Sequence, residues 1–311
     1  MKVLVTCPPM LRSVEEFRSV FESKGLELIC PQVVQTLSEA ELIGLVPQVD
    51  AWIIGDDPAT EKVFQAGKSG KLKAAVKWGV GVDNVDFKAA RTLNIPISNT
   101  PAMFGEEVSD IALAYLLALA RQTHQIDRKV RQGLWFKPPG MSLSGKKAAL
   151  IGFGNIGKST ARKLKAFQLD VNVFDPLVFP DSEDESAYTF DSLDKVVQNA
   201  DFLIITCALT SENRHLINDR IFQLLNKGAI VINVSRGPLV NESDLNKALE
   251  SGQVGGAGLD VFENEPLAAD HPFLQFDNVI FGSHNGSNTK EAVRRASKKA
   301  IELLFGYLNI Q

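Results

Sequence analysis

The sequence predicts an α/β protein with two parallel sheets covered by helices, and three observations support this. Short β-rich apolar runs alternate with helical stretches along the chain. At 311 residues the chain exceeds what one compact core usually holds, so two domains are expected. A long apolar helical stretch interrupts the alternation once, after which a second α/β series begins.

The first series has β-rich runs at Lys2–Thr6, Leu26–Cys30, Asp50–Ile54, Ala74–Trp78 and Ile95–Ser98. Helical stretches at Val14–Ser23, Ser38–Leu45 and Asp86–Leu93 separate them, and the series closes near Asn99-Thr100-Pro101. Glu106–Arg121 is apolar almost all round, which predicts a buried helix or part of a subunit interface. A turn-rich stretch, Lys137-Pro138-Pro139-Gly140, precedes the second series. Its strands are expected at Lys147–Ile151, Val171–Phe174, Phe202–Thr206, Ala229–Asn233, Val254–Leu259 and Asn278–Phe281, with a last helix at Thr289–Tyr307. Asp181-Ser182-Glu183-Asp184-Glu185 reads as a solvated loop.

Composition narrows the function classes. The chain is 45% hydrophobic and 23% charged with a net charge of −4, so no nucleic-acid partner is expected. Cys7, Cys30 and Cys207 are few and far apart, which suggests a reducing, cytoplasmic compartment and neither a disulfide framework nor a metal centre. The N-terminal apolar run is too short for a signal peptide. Ile111–Ala120, at about ten residues, is roughly half a membrane span, so no membrane partner is expected.

The strand ending at Ile151 runs into Gly152-Phe153-Gly154-Asn155-Ile156-Gly157 and then into a helical stretch, Lys158–Phe167. A bare GxGxxG pattern is weak, but strand, turn and helix together make a dinucleotide site. Gly152 allows the tight turn, Gly154 lets backbone approach a pyrophosphate, and Gly157 lets helix and strand pack closely. Asn155 and Ile156 open the helix, whose N–H groups face the phosphates. Asp175 ends the next strand, where a carboxylate accepts hydrogen bonds from ribose hydroxyls and disfavours a 2′-phosphate. NAD is therefore the expected cofactor; the competing reading of Asp175 is a turn residue.

Three further segments follow strands of the second series, where α/β sheets bind ligands. They are Asn233–Pro238, Leu259–Pro266 and Gly282–Gly286, and they contribute Arg236, Glu265 and His284. An arginine can hold a carboxylate and polarise a keto oxygen, and a histidine can donate or remove the proton. A carboxylate beside the histidine favours its imidazolium. Each residue alone has a plainer reading: a surface ion pair, a turn acid before Pro266, a structural histidine. His124, His215 and His271 are read as structural, and Cys7 as an inert buried thiol.

With these blocks in place, the chain resembles the D-isomer-specific 2-hydroxyacid dehydrogenase family, and within it the phosphoglycerate dehydrogenase-like members. The resemblance runs from about Lys71 to Thr289 through Gly79–Asp86, Asn99-Thr100-Pro101, Gly152–Gly157, Ser235-Arg236-Gly237, Leu259–Pro266 and Ser283-His284. It implies two doubly wound parallel-sheet domains. Residues 100–285 would form a central Rossmann domain for NAD, and 1–99 with 286–311 a flavodoxin-like substrate domain. It places Arg236, Glu265 and His284 as the catalytic triad. Asp260 would contact the nicotinamide end of the cofactor, with Val80, Val234 and Cys207 along the cofactor cleft. Trp78, Gly79, Val80 and Gly81 would grip the substrate carboxylate, with Lys77 at the edge. The activity implied is hydride transfer between NAD(H) and a small D-2-hydroxy or 2-keto acid, in a homodimer formed through the cofactor domain.

The chain departs from the family's pattern in places. Where phosphoglycerate dehydrogenases commonly carry Arg-Ser, it has Gly55-Asp56-Asp57-Pro58. A carboxylate there repels phosphate, so 3-phosphoglycerate is not the expected substrate. Asp56 or Asp57 is instead expected to bind hydroxyls of a polyol-bearing acid, with a turn or capping role as the alternative. Ser283 replaces the usual proline before His284, and Ala102-Met103-Phe104-Gly105 is more apolar than in many relatives. The chain ends at Gln311, so serine feedback through an added C-terminal domain is not expected. The competing function class is a non-enzymatic NAD(H)-binding redox sensor of the same fold. Such a sensor needs only the dinucleotide site, so the Arg–Glu–His set favours an enzyme.

Overall fold

The computed structural model describes residues 1–178 and 187–310. The acidic stretch Asp181–Glu185 lies outside the described residues. The chain divides into two compact units, one of Met1–Met103 with Asn288–Gln311 and the other of Phe104–Ser287.

The first unit holds five parallel strands: β1 (Lys2–Val5), β2 (Glu27–Ile29), β3 (Ala51–Ile54), β4 (Ala74–Lys77) and β5 (Ile97–Asn99), in the order β2-β1-β3-β4-β5. Every residue of β3 and β4 is buried, as expected of central strands covered on both faces. Leu4, Trp52, Ile54 and Ala75 pack there against Val63 and Phe64 of the helix Glu61–Ser69. Local chemistry sets the helix starts. Ser38 and Glu41 form a reciprocal capping box, and Thr60 and Asp86 each accept a backbone N–H of the helix that follows. The final helix, Lys290–Leu308, is capped by Thr289 and returns to this unit, burying Ala292, Val293, Ala296, Ala300 and Leu304.

The second unit holds seven parallel strands. They are β6 (Lys147–Ile151), β7 (Asp170–Phe174), β8 (Thr189–Phe190), β9 (Phe202–Ile205), β10 (Ala229–Asn233), β11 (Val254–Leu259) and β12 (Val279–Phe281). Their order, β12-β11-β10-β9-β6-β7-β8, reverses direction between β6 and β9, the topological switch point of a doubly wound sheet. The apolar helix Gly105–Ala120 packs on β10 and β11 and on the helix Asn155–Ala166. It is less uniformly buried than its sequence suggests, since Ala114 is exposed and Tyr115, Leu117 and Ala118 are half-buried. The two-residue β8 escaped the sequence reading because so short an edge strand carries no periodic signal.

Candidate active site

The Gly-rich turn sits at the switch point of the second unit. Gly152 has φ +97°, and a Cβ there would come within 2.5 Å of Cys207 N, so backbone geometry and close approach both require glycine. A Cβ on Gly157 would lie 2.1 Å from Gly152 O, which is the close helix–strand contact expected of it. Around Gly154, by contrast, nothing lies within 4 Å of a Cβ position, so the backbone is open to a ligand. Gly154 is also the N-cap of the helix Asn155–Ala166. Open backbone beside unpaired helix N–H groups is what a pyrophosphate requires, so these residues fit a dinucleotide.

Asp175 Oδ2 accepts from Phe153 N–H at 2.7 Å and Oδ1 from Leu177 N–H at 2.9 Å. The carboxylate therefore holds the Gly-rich turn, and each oxygen keeps a second lone pair for a ribose hydroxyl. The thiol of Cys207 is pushed up to about 11 by burial, so it is neutral at physiological pH. Its backbone oxygen accepts the Ser235 hydroxyl. Val234 is buried, leaving its backbone as the part able to line a cleft.

β10, β11 and β12 are consecutive in the sheet, and neighbouring strands lie about 4.8 Å apart. Their carboxyl ends thus bring together the loops bearing Arg236, Glu265 and His284. Asn233, buried at the end of β10, accepts Ser235 N–H at 3.1 Å and donates to Arg236 O at 2.9 Å, fixing the arginine's turn. Arg236 donates from Nη1 to Ser235 O at 2.8 Å. Glu265 Oε1 accepts Phe262 N–H at 2.9 Å, which orients the side chain so that Oε2 lies 2.8 Å from His284 Nδ1. His284 and Glu265 are both part-buried, at 23% and 21% side-chain exposure, so their pairing is only partly screened by water.

His284 has φ +53°, a left-handed conformation that costs an L-residue about 1–2 kcal/mol. Asp260 holds it there. Its carbonyl accepts His284 N–H at 2.7 Å, and its carboxylate accepts Asn285 N–H at 3.1 Å and Gly286 N–H at 2.7 Å. Tyr115 Oη adds a third donor at 3.1 Å. At 1% exposure, Asp260 faces the loop and not the solvent, so its work within the protein is to shape the histidine loop.

Tyr115 was not singled out in the sequence. Its signal is a single phenol within an apolar helix, because a buried hydroxyl needs a partner. Tyr115→Phe is expected to cost about 1.5–3 kcal/mol, the usual value of a hydrogen bond to a charged group. A lowered denaturant midpoint checks this; an unchanged midpoint contradicts it.

The other histidines have structural partners. His124 bridges Ala118 O and Asp277 O, and His271 accepts Phe273 N–H while facing Glu242. His215 Nε2 lies 3.2 Å from Glu263 Oε1.

Within the first unit, Lys77 to Gly81 divide by role. Trp78 N–H donates to Ile54 O at 2.9 Å, and its indole donates to Ser297 at 3.1 Å. Gly79 N–H donates to Thr100 Oγ1 at 2.9 Å. Those two backbone donors are committed within the chain, whereas the N–H groups of Val80 and Gly81 make no hydrogen bond among the described residues. Lys77, only 2% exposed, donates from Nζ to Gly55 O at 2.6 Å and Asp56 Oδ1 at 2.9 Å.

The expectation that Asp57 meets a substrate hydroxyl is corrected. Asp57 is fully buried, and its carboxylate accepts the Thr6 hydroxyl, Leu37 N–H at 2.8 Å and Gly55 N–H at 3.1 Å. Burial pushes its carboxyl up, against these hydrogen bonds. It ties the ends of β1 and β3 together.

Known proteins similar to this chain identify its family. Residues 113–286 match the family model described as D-isomer specific 2-hydroxyacid dehydrogenase, NAD binding domain. A glyoxylate reductase of Korarchaeum cryptofilum is 34% identical, covering 87% of this chain and 83% of that protein. A D-3-phosphoglycerate dehydrogenase of Archaeoglobus fulgidus is also 34% identical over 94% of this chain, which spans 54% of that longer protein. The crystal structure of the TT0316 protein of Thermus thermophilus superposes with a TM-score of 0.88 at 32% identity, covering 99% of this chain and 97% of that one.

Proposed function

This chain belongs to the D-isomer specific 2-hydroxyacid dehydrogenase family, and we propose that Arg236, Glu265 and His284 carry out its reaction. The protein is an NAD-dependent oxidoreductase acting on a small 2-hydroxy or 2-keto acid. The observation that carries the residue assignment is the 2.8 Å contact between Glu265 Oε2 and His284 Nδ1.

An ionised carboxylate can only accept, so the Nδ1 facing Glu265 carries a hydrogen and Nε2 is the nitrogen that exchanges a proton with the substrate. Bound NADH supplies the hydride. Arg236 holds the substrate carboxylate and polarises the keto oxygen, and protonated His284 gives its proton to that oxygen as the alcohol forms. Glu265 accepts from Nδ1 and so orients the ring. In the oxidative direction His284 removes the hydroxyl proton. Within the first unit, the N–H groups of Val80 and Gly81 are able to donate to an anion, and Lys77, Trp78 and Gly79 shape their turn. Gly152, Gly154, Asn155, Ile156, Gly157 and Asp175 would hold the adenosine and pyrophosphate, with Cys207, Val234 and Asp260 at the carboxyl ends of the neighbouring strands.

NADH loss with glyoxylate, hydroxypyruvate, pyruvate and 3-phosphohydroxypyruvate tests this reading. Turnover of at least one acid supports it, and tight NADH binding without turnover of any favours the redox-sensor alternative. Glu265→Gln makes a sharper check. Removing the charge beside His284 favours the neutral imidazole, so the proton donor is lost at lower pH. The limb where keto-acid reduction falls with rising pH is expected to move to lower pH in this variant. An unmoved limb would remove Glu265 from its role.

A homodimer formed through the Phe104–Ser287 unit fits its surface. Trp135 is 83% exposed and Leu134 53%, with Val130 and Phe136 also exposed nearby, an apolar set that usually marks a protein contact. Light scattering on the intact protein and on Trp135→Ser decides this. A cytoplasmic setting accords with three free cysteines, and among the described residues no helix is long and apolar enough to cross a membrane.

A further inference from the structure

Arg236 and Glu265 sit on separate loops of the second unit, after β10 and after β11, so their geometry depends on how one loop is fixed against the other. The two backbones touch at Gly237, where a Cβ would lie 1.8 Å from Phe262 C and 2.4 Å from Glu263 N. Beside that contact, Glu242 and Glu263 make a reciprocal tie across 21 positions. Glu263 N–H donates to Glu242 Oε1 at 2.8 Å, and Glu242 N–H donates to Glu263 Oε1 at 3.1 Å. Glu242 is the first residue of the helix Glu242–Glu250, so its N–H has no partner within the helix. Both carboxylates are mostly buried, with side-chain exposures of 17% and 19%. His271 Nε2 lies 3.3 Å from Glu242 Oε2, while His215 Nε2 and Arg214 Nη2 lie 3.2 Å and 3.6 Å from the two oxygens of Glu263. Buried ion pairs add little stability over apolar side chains of similar size, so packing alone does not explain the cluster. His215 has φ +54°, which L-residues seldom adopt, and its N–H donates to Pro238 O at 2.8 Å. Ile217 N–H donates to Leu239 O at 3.0 Å, and Ile217 O accepts Asn241 N–H at 2.9 Å. The stretch between Arg236 and Glu242 is thus held along its length.

We propose that Glu242 is a positioning residue for the reaction, which through Glu263 holds the Glu265 loop against the Arg236 turn. The inference rests on the assignment of Arg236, Glu265 and His284 above. The line of contacts is short. Glu242 Oε1 holds Glu263 N–H, the adjacent Phe262 N–H holds Glu265 Oε1, and Glu265 Oε2 meets His284 Nδ1. A displacement of about 1 Å in a reacting group can lower a rate about a hundredfold. A carboxylate that exchanges no proton with the substrate therefore still governs kcat.

The test compares Glu242→Ala, Glu242→Asp and Glu242→Gln with wild type as intact proteins, using NADH and a 2-keto acid that wild type reduces. Glu242→Ala is expected to lower kcat by about 10- to 100-fold while NADH affinity changes by about 2-fold or less. The limb where reduction falls with rising pH should move to lower pH, the direction expected of Glu265→Gln, because Glu265 is no longer held against His284. Glu242→Asp keeps a charge at the helix start, which favours folding, but is too short for Glu263 N–H. It should move kcat and the limb in the same directions as alanine. Glu242→Gln keeps an oxygen within reach of Glu263 N–H, at the expense of the His271 contact, and should hold kcat within about 3-fold of wild type. Added to Glu265→Gln, Glu242→Ala should move the limb no further, since both act through one contact. An unmoved limb in both Glu242→Ala and Glu242→Asp, or equal losses of kcat in Glu242→Ala and Glu242→Gln, overturns the positioning role and leaves the catalytic assignment standing. A wild type that binds NADH and reduces no 2-keto acid overturns the assignment, and this inference with it.

Discussion

His284→Ala is expected to lower kcat for 2-keto acid reduction by about a hundred- to ten-thousand-fold, the range for loss of a positioned general acid. The side chain ends a chain of constraints: Asp260 O holds its N–H, Glu265 Oε2 its Nδ1, and Phe262 N–H orients Glu265. Alanine removes the proton donor and leaves the loop's other ties, Asn285 and Gly286 to Asp260, in place. NADH affinity, measured by fluorescence, should therefore fall far less than kcat. A variant that keeps kcat within a few-fold of wild type would take His284 out of the chemistry.

Arg236→Gln is expected to lose about a hundred- to a thousand-fold in kcat, with KM for the keto acid raised as well. The guanidinium is assigned both to holding the substrate carboxylate and to polarising the keto oxygen, so its removal affects ground state and transition state together. Arg236→Lys should recover only part of the loss, since an ammonium cannot reproduce a planar two-pronged contact. Asn233 anchors the turn from outside the reaction, so either variant should keep its fold. A raised KM with unchanged kcat would limit Arg236 to binding.

The parts of the account legible in the sequence are those written locally. Gly152–Gly157 carries its reasons within six positions, because one turn and one helix entrance decide them. The strands at Lys147–Ile151 and Ala229–Asn233 stand where their apolar runs put them, since a buried parallel strand is apolar on both faces. Other features depend on contacts the sequence does not order. Tyr115 meets Asp260 across the fold, 145 positions apart, and the glutamate–histidine contact spans 19. Asp56 and Asp57 look alike in sequence, yet side chains of adjacent residues point apart: one lies buried under the end of β1 and the other reaches towards solvent. The block Trp78–Gly81 suggests backbone donors for a carboxylate, and only the folded chain reveals that Ile54 and Thr100 already take the N–H groups of Trp78 and Gly79.

The most direct test of the central claim follows one hydrogen atom. NADH carrying deuterium at both C4 positions of the nicotinamide would be incubated with the protein and the acid it turns over, and the hydroxy acid analysed by mass and chirality. The account predicts deuterium on C2 of a D-configured 2-hydroxy acid, with transfer falling along with kcat in His284→Ala. A product without deuterium on C2, or no reduction of any 2-keto acid by protein that binds NADH, would contradict it.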